Sequence, residues 1–240
     1  MEIICTVEPS CNNIETLREM KVEGMTIVRV NLKHHTWDEA GEIADWSKEL
    51  ELPLIVDIPD NAMATEAVAV AKRSEHPDSR VALAFVHSAK EVMDVREITG
   101  DMIVSKLEDE GCVQDINNIL DVSKEVMIDR KDMMTMIGAN HLGYAQYFLV
   151  GVAVENECPL YIASGVLTSL VNGTVLSSGD VLDVFSTSIL GVSGFVLAEE
   201  TAIAVDPVLS VRTLVGILGE ADQAYNQVST HFGFKTRQNG

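Results

Sequence analysis

Short apolar runs rich in Val, Ile and Leu recur along the chain at 3–7, 26–31, 54–57, 81–85, 102–106, 125–128, 160–163 and 194–197. They are near-continuous rather than alternating, which is the pattern of strands covered on both faces, as in a parallel sheet. Between them lie stretches with helical periodicity, among them 36–50, 63–74, 89–98 and 138–155. The eight runs recur at roughly 30 residues, the length of one strand–helix unit. This alternation predicts an α/β chain closed into a single-domain (β/α)8 TIM barrel over 1–220. No Gly/Ser/Pro-rich linker divides it. Residues 221–240, with Phe232 and Phe234, read as a C-terminal tail after the final helix.

Composition narrows the class. The 240 residues are 47% hydrophobic, enough to bury a large core. No apolar run reaches the ~20 residues of a membrane span. The opening MEIICTVEPS has no basic leader and reads as a first strand, so no signal peptide is expected. The four cysteines form no CxxC pair, which fits free thiols and a cytoplasmic location. A net charge of −20 argues against nucleic acid as a partner and fits a solvated acidic surface. Neither a P-loop nor an HExxH helix is present.

In such a barrel the chemistry sits at the carboxyl ends of the strands. There the chain places Arg29, Asn31 and Lys33 after the second run, and Asp57 at the end of the third. Lys106 and Glu108 follow on the fifth, Arg130 and Asp132 on the sixth, Ser164 on the seventh, and Glu199 and Glu200 on the eighth. Lys106 and Glu108 are two residues apart, so on one strand their side chains point the same way. That pair is either a structural ion pair or part of a site. Glu108 and Asp132, on neighbouring strands, are a candidate clamp for Mg²⁺ together with substrate oxygens. A metal there would polarise a carbonyl and stabilise an enolate.

Seven ordered segments resemble the barrel domain of pyruvate kinases. They are IICTVEPSCNNIETL (3–17), GMTIVRVNLKHH (24–35), VALAFVHSAKEV (81–92), IVSKLEDEGCVQDINNIL (103–120), VMIDRKDM (126–133), PLYIASGVLTSLV (159–171) and GFVLAEETAIAVDPVLSV (194–211). The resemblance implies that Lys106 is the catalytic lysine and that Glu108 and Asp132 are the ligands of Mg²⁺ or Mn²⁺. It implies that Arg29 contacts phosphate and that Ser164 keeps the hydroxyl of a threonine beside the substrate methyl carbon. Asn31 and Asp57 match two ligands of that family's monovalent cation, and a homo-oligomer is implied as well.

The chain also departs from the family. The run from Asp57 through Ile58, Pro59 and Asp60 leads straight to a helix, so the family's lid domain is absent. No regulatory domain is expected after the barrel. Lys33 replaces a cation-binding serine, and its ammonium could supply the missing ion's charge. Ile58 replaces another cation ligand, Lys131 a glycine beside the metal aspartate, Glu8 a glycine, and Asp129 a small residue. The reading is Mg²⁺-dependent binding and enolate chemistry on pyruvate, phosphoenolpyruvate or a related 2-oxo acid. A non-catalytic binding or assembly module and a pyruvate kinase completed by other chains are the alternatives.

Overall fold

The computed structural model describes residues 1–232 apart from Thr174. Eight strands form a closed, all-parallel barrel in sequence order. They are β1 (Glu2–Thr6), β2 (Ile27–Asn31), β3 (Leu54–Ile58), β4 (Arg80–Leu83), β5 (Ile103–Leu107), β6 (Glu125–Asp129), β7 (Leu160–Ala163) and β8 (Gly194–Leu197). Each of the eight expected strands is present, with ends within two residues of those read from the pattern.

The helices are α1 (Ile14–Glu23), α2 (Trp37–Glu49), α3 (Ala64–Arg73), α4 (Ala89–Thr99), α5 (Glu110–Gln114), α6 (Ile116–Val122), α7 (Arg130–Ile137), α8 (Ala139–Glu155), α9 (Ser178–Ile189), α10 (Glu199–Ala202) and α11 (Pro207–Phe232). Local sequence explains their starts. Thr36 caps α2 by accepting from the Glu39 N–H, while the Glu39 carboxylate accepts from the Thr36 N–H. Asn13 and Ser177 cap α1 and α9 through their side-chain oxygens. Helix α11 continues past the expected barrel end at 220, because no Gly or Pro interrupts 220–232. Part of the expected tail is therefore helical, and Phe234 lies outside the described residues. Among the described residues, no helix is long and apolar enough to cross a membrane.

The continuous apolar runs have a simple cause. Outward residues such as Val28, Val56, Ile128, Ile162 and Phe195 pack beneath the helices. Inward residues Ile4, Ile27, Ile55, Ala82, Val104, Met127, Tyr161, Ala163 and Val196 fill the lumen. Burying each large apolar side chain is worth about 1.5–3 kcal/mol.

Below this layer sits a polar floor. The buried Arg80 guanidinium lies 2.9 Å from Glu125 and 3.5 Å from Glu2, and the Tyr161 hydroxyl donates to Glu2 at 2.5 Å. Gly194 is needed where β8 meets β1, since a Cβ there would come within 2.2 Å of the Glu2 carbonyl oxygen. The lumen layer separates this floor from the opposite end, where the strand ends open into a cleft.

Candidate active site at the carboxyl ends of the strands

The cleft measures about 540 Å³. Arg29, Asn31, Lys33, Asp57, Lys106, Asp132 and Ser164 all line it. Glu108 lies just behind them and is fully buried.

Strand parity brings the charges together. Arg29, Asp57, Lys106 and Asp129 each sit two residues beyond a lumen residue, namely Ile27, Ile55, Val104 and Met127, so all four point inward. The Arg29 guanidinium donates from Nε and Nη2 to Asp57 Oδ2, at 3.0 and 2.6 Å, and from Nη1 to Thr6 Oγ1 at 2.7 Å. The Lys106 ammonium lies 2.8 Å from Glu108, 3.4 Å from Asp57 and 3.9 Å from Asp129.

Burial alone would pull Lys106 down, but Asp57 and Glu108, with Asp129, outweigh it and hold the ammonium above its usual range. Burial would likewise raise Asp57, yet Lys106 and Arg29 keep its carboxyl below the usual value. At Glu108 the balance reverses. Burial pushes its carboxyl up, and Lys106 and the Phe85 N–H offset this only in part.

Glu108 is held between two partners. Oε2 accepts the Phe85 N–H at 2.5 Å, and Oε1 lies 2.8 Å from the Lys106 ammonium. A buried carboxylate is costly unless donors and cations surround it. One oxygen each from Glu108, Asp129 and Asp132 lies within 4.8 Å of the other two. An all-carboxylate donor set suits a hard divalent ion such as Mg²⁺ or Mn²⁺. The residues present therefore fit the metal that the sequence suggested.

The resemblance sets Asp129 in the place of a small residue, and its parity with Met127 turns it inward. It also accepts a 2.7 Å hydrogen bond from the Ser164 hydroxyl. Ser164 itself sits at φ +66, a conformation disfavoured for residues other than glycine. It is held there from outside the cleft. Arg130 donates to the Ser164 carbonyl at 2.9 Å and to the Gly165 carbonyl at 2.5 Å, and pairs with Asp183 at 2.8 Å. Glu200 is likewise structural. Its carboxylate accepts the backbone N–H groups of Val166, Leu167 and Ala198, which ties the β7 and β8 loops together.

The rim is looser. Asn31 spends its side-chain oxygen on the Lys33 backbone N–H at 3.0 Å. Lys131, at 65% side-chain exposure, forms an ion pair with Glu199 that joins the ends of β6 and β8. Beyond β3, only Pro59 and Asp60 separate the strand from a turn of 3-10 helix at Asn61–Met63, which leads directly into α3.

Comparison with known proteins agrees with this geometry. The family model of the pyruvate kinase barrel domain matches residues 75–211, more than half of the chain. The pyruvate kinase of Thermoplasma acidophilum is 30% identical over 138 residues, which is 55% of this chain and 25% of the relative. That of Pyrobaculum aerophilum is 27% identical over 143 residues, 58% of this chain and 31% of the relative. A probable cytosolic isozyme of pyruvate kinase from Arabidopsis thaliana is 25% identical over 222 residues, 90% of this chain and 39% of the relative. The chain thus spans between a quarter and two-fifths of the length of these relatives. With a closed eight-stranded barrel whose cleft gathers Arg29, Lys106, Glu108 and Asp132, and with this match, the chain belongs to the pyruvate kinase family through its barrel domain.

Proposed function

We propose that the cleft binds a divalent cation, Mg²⁺ or Mn²⁺, with a small 2-oxo acid such as pyruvate or its enol form, and stabilises the enolate. The observation that carries this reading is the charged, buried Lys106 ammonium set among Asp57, Glu108 and Asp129, beside the grouped carboxylate oxygens of Glu108, Asp129 and Asp132. Glu108 and Asp132 would hold the metal, which when bound would polarise the substrate carbonyl. Lys106 presents a fixed positive charge where an enolate oxygen develops, and it needs no reorientation because three carboxylates already place it. Arg29, braced by Asp57 and Thr6, keeps N–H donors free for a substrate carboxylate. The Ser164 hydroxyl, which donates to Asp129, would pass a proton at the substrate methyl carbon. Asp57 already faces two cations, so a monovalent ion is not needed beside it, and Lys33 supplies further positive charge at the rim.

The direct path from β3 to α3 carries no inserted domain, which favours enolate chemistry over phosphoryl transfer to a nucleotide. The free thiols fit a reducing cytoplasm. The exposed apolar side chains Tyr144, Tyr147 and Phe148 of α8 fit a homo-oligomer contact.

Calorimetric titration with Mg²⁺ and oxalate, an enolate mimic, tests the reading. Oxalate should bind only with the metal present, and Lys106→Met should weaken it by at least tenfold. Absence of binding would leave the barrel as a scaffold. Turnover in a coupled assay with ADP and phosphoenolpyruvate would establish the kinase instead.

A further inference from the structure

The floor of the cleft carries more negative charge than the metal clamp requires. Asp57, Glu108, Asp129 and Asp132 meet there, against the two cations Arg29 and Lys106. Arg29 is committed to Asp57, and Lys106 is shared among three carboxylates. Lys131, which sits between Asp129 and Asp132 in sequence, is turned to Glu199. A dication would restore the balance.

Asp129 is well placed to face it. It is the last residue of β6, points inward and is 7% exposed. Its Oδ1 accepts from Ser164, while Oδ2 lies 3.9 Å from the Lys106 ammonium, beyond hydrogen-bond distance. Its ligand oxygen is within 4.8 Å of those of Glu108 and Asp132. The buried Glu108, whose Oε1 lies 2.8 Å from the Lys106 ammonium, closes the same side of the cluster.

We infer that Asp129 is a third protein ligand of the divalent cation, so that its carboxylate adds to the affinity of the barrel for the metal alone. Each protein carboxylate replaces a water in the ion's shell, so a third strengthens binding and leaves fewer positions for substrate. This rests on the metal-site reading above.

The test is titration of the purified chain with Mn²⁺ alone, read as free Mn²⁺ by electron paramagnetic resonance. The wild type should bind about one equivalent without oxalate. Asp129→Asn, which keeps the shape and the Ser164 contact, should bind at least tenfold more weakly. Asp129→Ala gives the same readout if the Asn variant fails to fold. Mn²⁺ affinity within twofold of wild type in the folded variant, with Glu108→Gln or Asp132→Asn strongly weakened, would overturn the role of Asp129 and leave the metal centre standing. Unchanged affinity in all three variants would overturn the metal centre as well.

Discussion

Replacing Arg130 with Met tests whether the Ser164 loop is held from behind. Arg130 is 9% exposed and makes three contacts, two to the adjacent carbonyls of Ser164 and Gly165 and one to Asp183. Ser164 has φ +66, so it stores strain that its neighbours must offset, whereas Gly165 adopts φ +67 freely. A hydrogen bond from a charged donor contributes about 1.5–3 kcal/mol. The Asp183 pair is 34% exposed on its acidic side and adds at most about 1 kcal/mol. The loop lies at the cleft, where water can rehydrate the freed carbonyls and recover part of this. The expected loss is about 2–4 kcal/mol. Arg130→Lys should recover only part of it, because an ammonium cannot fork to two carbonyls and a carboxylate. Urea unfolding followed by far-UV circular dichroism gives the stability, and calorimetry with Mg²⁺ and oxalate gives the effect on the cleft. Oxalate affinity should fall together with stability, since Ser164 would no longer be held against Asp129. A loss below about 1 kcal/mol in Arg130→Met would refute the bracing argument.

Other expectations follow from single contacts. Gly194→Ala would press a Cβ against the backbone of Glu2 at 2.2–3.0 Å, so β1 and β8 must separate, at a cost of at least about 3 kcal/mol in urea unfolding. Glu200→Gln leaves the Ala198 N–H without its acceptor and should cost about 1–3 kcal/mol. Burial holds the Glu200 carboxyl above its usual range against the pull of its backbone donors, so the folded state binds that proton more tightly than the unfolded chain does. Its contribution is full below the ordinary carboxylate range and is lost as pH rises through the raised value, so the penalty of Gln should shrink as pH rises above that ordinary range. Lys33→Met should abolish oxalate binding if its ammonium stands in for a monovalent ion, and unaltered affinity would dismiss that role. Glu at both 144 and 147 should convert any oligomer to monomer in sedimentation velocity, and an unchanged distribution would place the contact elsewhere.

The barrel was legible in the sequence because both faces of each strand are buried, which leaves an apolar run with little alternation. The strand ends were harder to read, since polar residues there suggest loops. Arg80 and Asp129 instead lie within strands and turn into the barrel, where ion pairs and hydrogen bonds take up their charges. Lys106 and Glu108 could be paired from spacing alone, and their 2.8 Å contact follows from strand parity. The same parity pointed to Asp129, but its neighbours Arg130, Lys131 and Asp132 made the segment look like an undivided charged loop. Arg130 and Glu200 were read with the cations and carboxylates of the top face. Their targets are backbone groups of the β7 and β8 loops, and the side-chain pattern carries no trace of which carbonyl or N–H will be left for them.

The cleft thus has two ends of different stiffness. On the floor, Arg29, Asp57, Lys106 and Glu108 are at most 4% exposed and cross-linked, so displacing one strands the charge of another, a loss of about 3–5 kcal/mol for a broken buried pair. At the rim, Lys131 and Glu199 are 65% and 46% exposed, and such a pair is worth about 0–1 kcal/mol. A ligand carboxylate could therefore draw Lys131 away from Glu199 at little cost, whereas it must accept the floor as it stands. Discrimination by charge and shape then falls to the floor. The lysine that the family resemblance places in a glycine position becomes an adjustable arm over the carboxylates proposed to hold the metal rather than an obstruction to them.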